Sequence, residues 1–116
     1  MESILISVKE FIGFGEEYRS FDSEIISDIN EVFLDLNQLG VGPKEVFSIE
    51  DETSSWTDFL PAEDKLFEVA KTFVKKSTKL AFDPPTVSAH LEALERQIKK
   101  LGWRLMTAAD KTTTES

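Results

Sequence analysis

The chain has 116 residues, 41% of them hydrophobic and 30% charged, and it contains no cysteine. That is material for one domain rather than two, and it excludes a disulfide framework, thiolate metal sites and thiol catalysis. The net charge of −9 is split unevenly: residues 1–68 carry 17 Asp and Glu against 4 Lys and Arg, a net of −13, and residues 69–116 carry 9 Lys and Arg against 5 Asp and Glu, a net of +4. Such a division suits either plain solvated helix faces or a head-to-tail association of identical subunits, acidic face to basic face. No apolar run approaches the roughly 20 residues of a membrane span. Glu2 stands where a signal peptide requires basic residues, so synthesis in the cytoplasm is expected.

The first element is a short helix. Ile4, Val8, Phe11 and Ile12 fall on one face, with Ser3 as its cap and Gly13 and Gly15 as its end. The second is longer: Phe21, Ile25, Ile26, Ile29, Val32, Phe33, Leu36 and Leu39 keep a 3.6-residue period over five turns. Asp22 is the expected N-cap, with Phe21 stapling to Ile26 across it. Asp28, Glu31 and Asp35 lie largely away from the apolar stripe; they could chelate a cation, but Glu31 and Asp35 are expected simply to face water.

The stretch from Leu36 to Glu45 holds two glycines, a proline and a lysine. A phosphate loop needs four residues between its glycines, then Lys and Ser or Thr, between a strand and a helix. Here a helix comes first, Gly40 occupies the left-handed position that ends it, and Pro43 prevents its resumption. The loop is a helix stop.

Residues 46–60 lack a clear period. Val46 to Ile49 suit a short strand, and the acidic turn that follows has neither the glycine nor the spacing of a calcium loop. Ser54 or Ser55 can cap one helical turn that gathers Trp56, Phe59 and Leu60, either as an aromatic plug over the helices or as an exposed binding patch. A third long helix follows Pro61, with Leu66, Val69, Ala70, Phe73, Val74, Ser77, Leu80 and Ala81 at helical spacing and Lys71, Lys75, Lys76 and Lys79 along its back. No aromatic residue interleaves with those lysines, so an acidic protein surface suits them better than nucleic acid.

Phe82 to Pro85 break the chain, with Asp83 or Thr86 as the cap of the next helix. Val87, Leu91, Leu94, Ile98, Leu101 and Leu105 then step by 4, 3, 4, 3, 4, a heptad seam, supported by the i, i+4 pairs Glu92–Arg96 and Glu95–Lys99. Trp103 lies off the seam and reads as a second packing face or an interface anchor. The end of the chain, from Thr107, is polar; its three consecutive threonines, Thr112 to Thr114, have strand propensity and could add to a partner's sheet edge.

Chemistry is sparse. A single histidine, His90, accompanies many carboxylates in which no pair stands out. A lone His is more often structural than catalytic, and without Cys it makes a zinc site unsupported. No enzyme activity, metal or cofactor is expected.

The run from Ile25 to Pro61, with the Phe82–Pro85 break and the segment Glu95 to Leu105, resembles a family of small phage proteins. These are the head–tail connector, or neck adaptor, proteins of long-tailed bacteriophages and prophages of Gram-positive hosts. Its most specific pieces are Asn37 to Pro43 with Phe47-Ser48-Ile49, Trp56 with Phe59-Leu60, Phe82 to Pro85, and Trp103-Arg104-Leu105; all are packing and turn signatures. The resemblance implies a virion protein of the neck that forms a ring, typically of twelve subunits, between the portal protein and a head-closure, stopper or other neck protein. DNA would pass through the lumen without specific binding, and the C-terminal part would dock on the portal.

The sequence therefore predicts a mainly α, four-helix subunit with a short irregular or β insertion and an extended C-terminal tail. Residues 1–106 form the helical domain and residues 107–116 a polar docking tail. Arg104, Lys111, Thr112, Thr113 and Thr114 are the expected portal contacts. Lys71, Lys75, Lys76, Lys79, Trp56 and Trp103 are the expected contacts between subunits. The alternative from a different class is a small acidic phage inhibitor that mimics DNA and binds a host nuclease or repressor.

Overall fold

A computed structural model describes the backbone of residues 2–115 and the side chains of residues 2–109. The described residues form five helices: α1 (Ile4–Ile12), α2 (Asp22–Gln38), the single turn α3 (Trp56–Phe59), α4 (Phe67–Phe82) and α5 (Ser88–Glu115). Helix α4 is the hub, packing on α1, α2 and most extensively on α5, and α1 also packs on α2. The mainly α class is as the sequence predicts.

Helix α1 is the most deeply buried element. Ile4, Leu5, Ser7, Val8, Lys9 and Ile12, six of its nine residues, are buried. The Ser3 hydroxyl caps its start by accepting the Ile6 N–H at 3.2 Å, and Gly13, at φ 118°, ends it as expected. Phe11, assigned to the buried face by periodicity, is exposed, and Leu5 is buried in its place. The helix is covered from more than one side, so a single stripe is a poor description of it.

Burying α1 also buries two polar side chains, and each has a specific partner. Ser7 donates its hydroxyl hydrogen to the Ser3 carbonyl at 2.7 Å and accepts the Trp56 indole N–H at 2.8 Å. Lys9, 1% exposed, places its ammonium 2.8 Å from Asp22 Oδ1 and donates to the Glu16 carbonyl at 3.2 Å. A buried ammonium without such partners would be strongly unfavourable.

This explains the start of α2. Asp22 is its first helical residue rather than its N-cap; Phe21 occupies the cap position and no side chain caps the helix. The Asp22 carboxylate is engaged by Lys9 and, at 3.4 Å, by Arg19, and still sits favourably at the positive end of the helix dipole. The Phe21 ring lies among Phe14, Tyr18 and Phe82.

Helix α2 ends in a complete Schellman motif. Gly40 N–H reaches the Asn37 carbonyl at 3.0 Å and Val41 N–H the Leu36 carbonyl at 2.9 Å. Gly40 is left-handed at φ 83°, and both Val41 and Leu36 are buried. Gly42, also left-handed, lies against the Phe59 ring, where a Cβ would come within 2.4 Å of the ring edge.

No strand forms at Val46–Ile49. The segment runs back along α2, held by side chains that take the place of a neighbouring strand. The Asn30 amide accepts the Ile49 N–H at 2.8 Å and donates to the Ile49 carbonyl at 3.0 Å, and Asn37 donates to the Pro43 and Lys44 carbonyls. The only bridge among the described residues is between Ser3 and Ser55. There Ile4 N–H meets the Ser54 carbonyl at 3.0 Å, fastening the chain start to the insertion.

Ser55 opens α3 through a capping box with Asp58. Trp56, Phe59 and Leu60 are buried, and Phe33, Phe47 and Phe59 form a ring cluster with centroids 4.7–5.4 Å apart. The aromatic plug is the correct reading. Trp56, 1% exposed, belongs to the core and cannot serve as the subunit contact expected of it.

Helix α4 buries Phe67, Ala70, Phe73, Val74 and Thr78. Asp83 is its C-cap rather than the cap of α5, which starts at Ser88, later than Asp83 or Thr86 allowed. The two prolines keep the intervening backbone out of helix. The heptad seam then packs on α4: Leu94 and Leu105 are buried, Leu91, Ile98 and Leu101 half-buried, and Val87, ahead of the helix, is exposed. The helix continues past Met106, and Ala109 still packs against the core.

Two outcomes are expected in urea unfolding. Ser7→Ala leaves the Trp56 N–H buried without an acceptor and should cost about 1–3 kcal/mol. Asp22→Ala strands a buried ammonium and should cost about 3 kcal/mol or more. Lys9→Met should cost less than Asp22→Ala, because Asp22 keeps Arg19 and some access to water.

Candidate interaction surface

The four lysines of α4 are mostly committed within the chain. Lys71 pairs with Glu2 at 2.6 Å and lies over the Trp56 and Phe67 rings. Lys76 donates to the Gln97 amide oxygen at 2.7 Å, and Lys79 approaches Asp83 at 3.5 Å. Only Lys75 has no hydrogen-bond or ion-pair partner among the described residues. The sequence showed the charges of this face but not that α5 and the chain start would engage them.

Helix α5 is different. Its seam faces α4, which turns Arg96, Lys100, Trp103 and Thr107, at spacings of 4, 3 and 4, to the opposite side. Trp103 is 63% exposed and Met106 is exposed beside it. Ala93, Arg96, Gln97, Lys99 and Lys100 form a shallow groove with Trp103 on one side, and Lys65, Leu66, Arg104 and Thr107 continue it on the other. The expected pairs Glu92–Arg96 and Glu95–Lys99 do not close into ion pairs; Arg96, Lys99, Lys100 and Arg104 have no hydrogen-bond or ion-pair partner among the described residues. A large exposed indole set among cations has the composition that protein interfaces favour. Of the expected portal contacts, Arg104 is exposed on this helix, whereas the side chains of Lys111, Thr112, Thr113 and Thr114 lie outside the described residues.

The acidic half presents its own face. On α2, Glu24, Asp28, Glu31 and Asp35 follow the same 4, 3, 4 spacing on the side away from the core, and none has a hydrogen-bonding or ionic side-chain partner among the described residues. Burial, and then the neighbouring Glu31, raise the Asp28 carboxyl above its ordinary value. Leu34, 44% exposed, flanks the row. In contrast, Glu52 is held below the usual range by a backbone N–H and then by Arg19.

A further apolar surface escaped the sequence reading. Phe14 stacks on Tyr18 with centroids 5.4 Å apart and meets Phe82 edge-on at 5.9 Å, with Phe11, Tyr18 and Phe21 exposed. The four clustered rings come from the α1–α2 connection, the start of α2 and the end of α4, and no single segment carries a period that would reveal them.

Among the described residues no group of three or more His, Cys, Asp or Glu could hold a metal ion, and no helix is long and apolar enough to cross a membrane. His90 is exposed on α5. A family model described as phage connector protein matches residues 4–112. No curated relative and no solved structure matches the chain. With nearly its whole length matched, the chain belongs to the phage connector protein family, structural proteins of the virion's head–tail junction.

Proposed function

We propose that this chain assembles as a ring in the phage neck, between the portal protein and the next neck protein, with DNA passing through the lumen. The observation that carries the reading is the unpartnered outer face of α5, where exposed Trp103 stands among unpaired Arg96, Lys99, Lys100 and Arg104. A monomer that functioned alone would have little reason to expose it. Membership of the phage connector family supports a position in the neck, and the opposite charge of the two halves of the chain suits a heterologous contact that closes into a ring. The net charge of −9 suits a tunnel wall that does not hold DNA phosphates. Family membership favours the connector over the DNA-mimicking inhibitor.

The C-terminal segment, with Arg104 and Lys111 and the three threonines beyond it, is the proposed portal contact. Because Ala109 packs against the core, removal of residues 110–116 separates docking from folding better than a cut at 107. Mixing the full chain with the portal from the same genome should give a stacked ring in electron micrographs and co-elution on gel filtration. The chain lacking residues 110–116 should keep the same unfolding midpoint and lose co-elution. Undiminished portal binding by that truncated chain would refute the docking role, and absence of any complex with the full chain would refute the connector ring.

A further inference from the structure

Two outward-facing rows on this chain match each other. Arg96, Lys100, Trp103 and Thr107 on α5 and Glu24, Asp28, Glu31 and Asp35 on α2 repeat with the same 4, 3, 4 spacing, each row about 16 Å long. The α5 row is basic around an exposed indole, and the α2 row is wholly acidic beside exposed Leu34. Neither finds a hydrogen-bond or ion-pair partner among the described residues. The two rows cannot satisfy one another intramolecularly, because the inner face of α5 packs on α4 and that of α2 on α1 and α4.

We propose that the outer face of α5, centred on Trp103, docks on the acidic outer face of α2 of a second copy of this chain. The proposal deepens the ring reading and rests on it, by naming which two surfaces meet. It also revises the expected contact, since the α4 lysines are largely engaged internally and the α5 cations are not. Trp103 would cover Leu34 while Arg96, Lys99 and Lys100 meet the carboxylates. The contact is heterologous, each copy offering one face and receiving on the other, which is the arrangement that closes rings. Desolvation and Glu31 already disfavour the charged form of Asp28 in the isolated chain, and the attraction of a neighbour's cation would oppose both effects.

The test uses two full-length charge-reversal variants, Arg96→Glu/Lys100→Glu and Asp28→Lys/Glu31→Lys. Arg96, Lys100 and Glu31 are exposed and Asp28 is half-buried on the helix flank, and an unchanged unfolding midpoint checks that both chains fold. Self-association is read by sedimentation, with and without the portal from the same genome, and rings are counted by electron microscopy. Each variant alone sets like charges against each other and should assemble at least about tenfold more weakly than the unaltered chain. Mixed in equal amounts they restore opposite charges at every contact, and should assemble to within about threefold of the unaltered chain, as rings of alternating subunits. Either variant assembling normally alone, or a mixture that stays dissociated, overturns the proposed contact. Rings of the unaltered chain on the portal with no rescue in the mixture leave the connector reading standing and remove this interface. Rescue in the mixture without any portal complex does the reverse. An unaltered chain that self-associates under neither condition overturns both.

Discussion

A nine-residue helix cannot hold its shape alone in water, because nucleation is costly and few hydrogen bonds follow it. In this chain that helix, α1, is nevertheless buried against α2 and α4, and it fastens both the insertion and the start of α2. Its apolar residues supply the drive to bury it. Its two buried polar residues decide how it may be buried. Ser7 demands a donor and finds the Trp56 indole; Lys9 demands an anion and finds Asp22. The first contact fixes the insertion between α2 and α4, and the second fixes the start of α2. Both are specific in a way that apolar packing is not, since a shifted register would leave an ammonium or an indole N–H buried without a partner.

The consequences reach the surface. With Trp56 used inside, Trp103 is the indole left for a partner. Lys71 is drawn to Glu2 and the Trp56 and Phe67 rings by the same docking of the chain start, which leaves α5 as the carrier of unpaired positive charge. Helix α5 itself is divided cleanly: a seam of leucines and Ile98 holds it to α4, and the cations of the opposite side have no hydrogen-bond or ion-pair partner among the described residues. The acidic side of α2 is free for the corresponding reason, because Asn30 and Asn37 engage the returning loop on an adjacent flank and leave the carboxylates outside it.

Much of this was legible in the sequence where one local rule governs. Gly40 announced the end of α2, the heptad spacing announced the inner face of α5, and Ser54 or Ser55 announced the single turn that carries Trp56, with Ser55 the one used. The readings that failed were those in which a distant residue outcompeted the local rule. Asp22 had the chemistry of a cap and was engaged instead by Lys9, thirteen positions earlier. Val46 to Ile49 had strand character and were satisfied by the Asn30 side chain instead. Phe11 had the right period for a helix covered on one side, but α1 is covered on several. The interaction surface was partly legible: Trp103 and Arg104 stood out, but which cations remain unpaired depends on contacts between segments far apart in the chain.

Native-state hydrogen exchange of the isolated chain reads out how far the rest of the body depends on α1. If α1 is the keystone, its amides from Ser7 to Ile12 exchange only through global unfolding, with the same denaturant dependence as the core of α4, despite lying near the chain terminus. Exchange of α1 through a separate, lower-energy opening while α2 and α4 remain protected would show that the body closes without it, and would contradict the account.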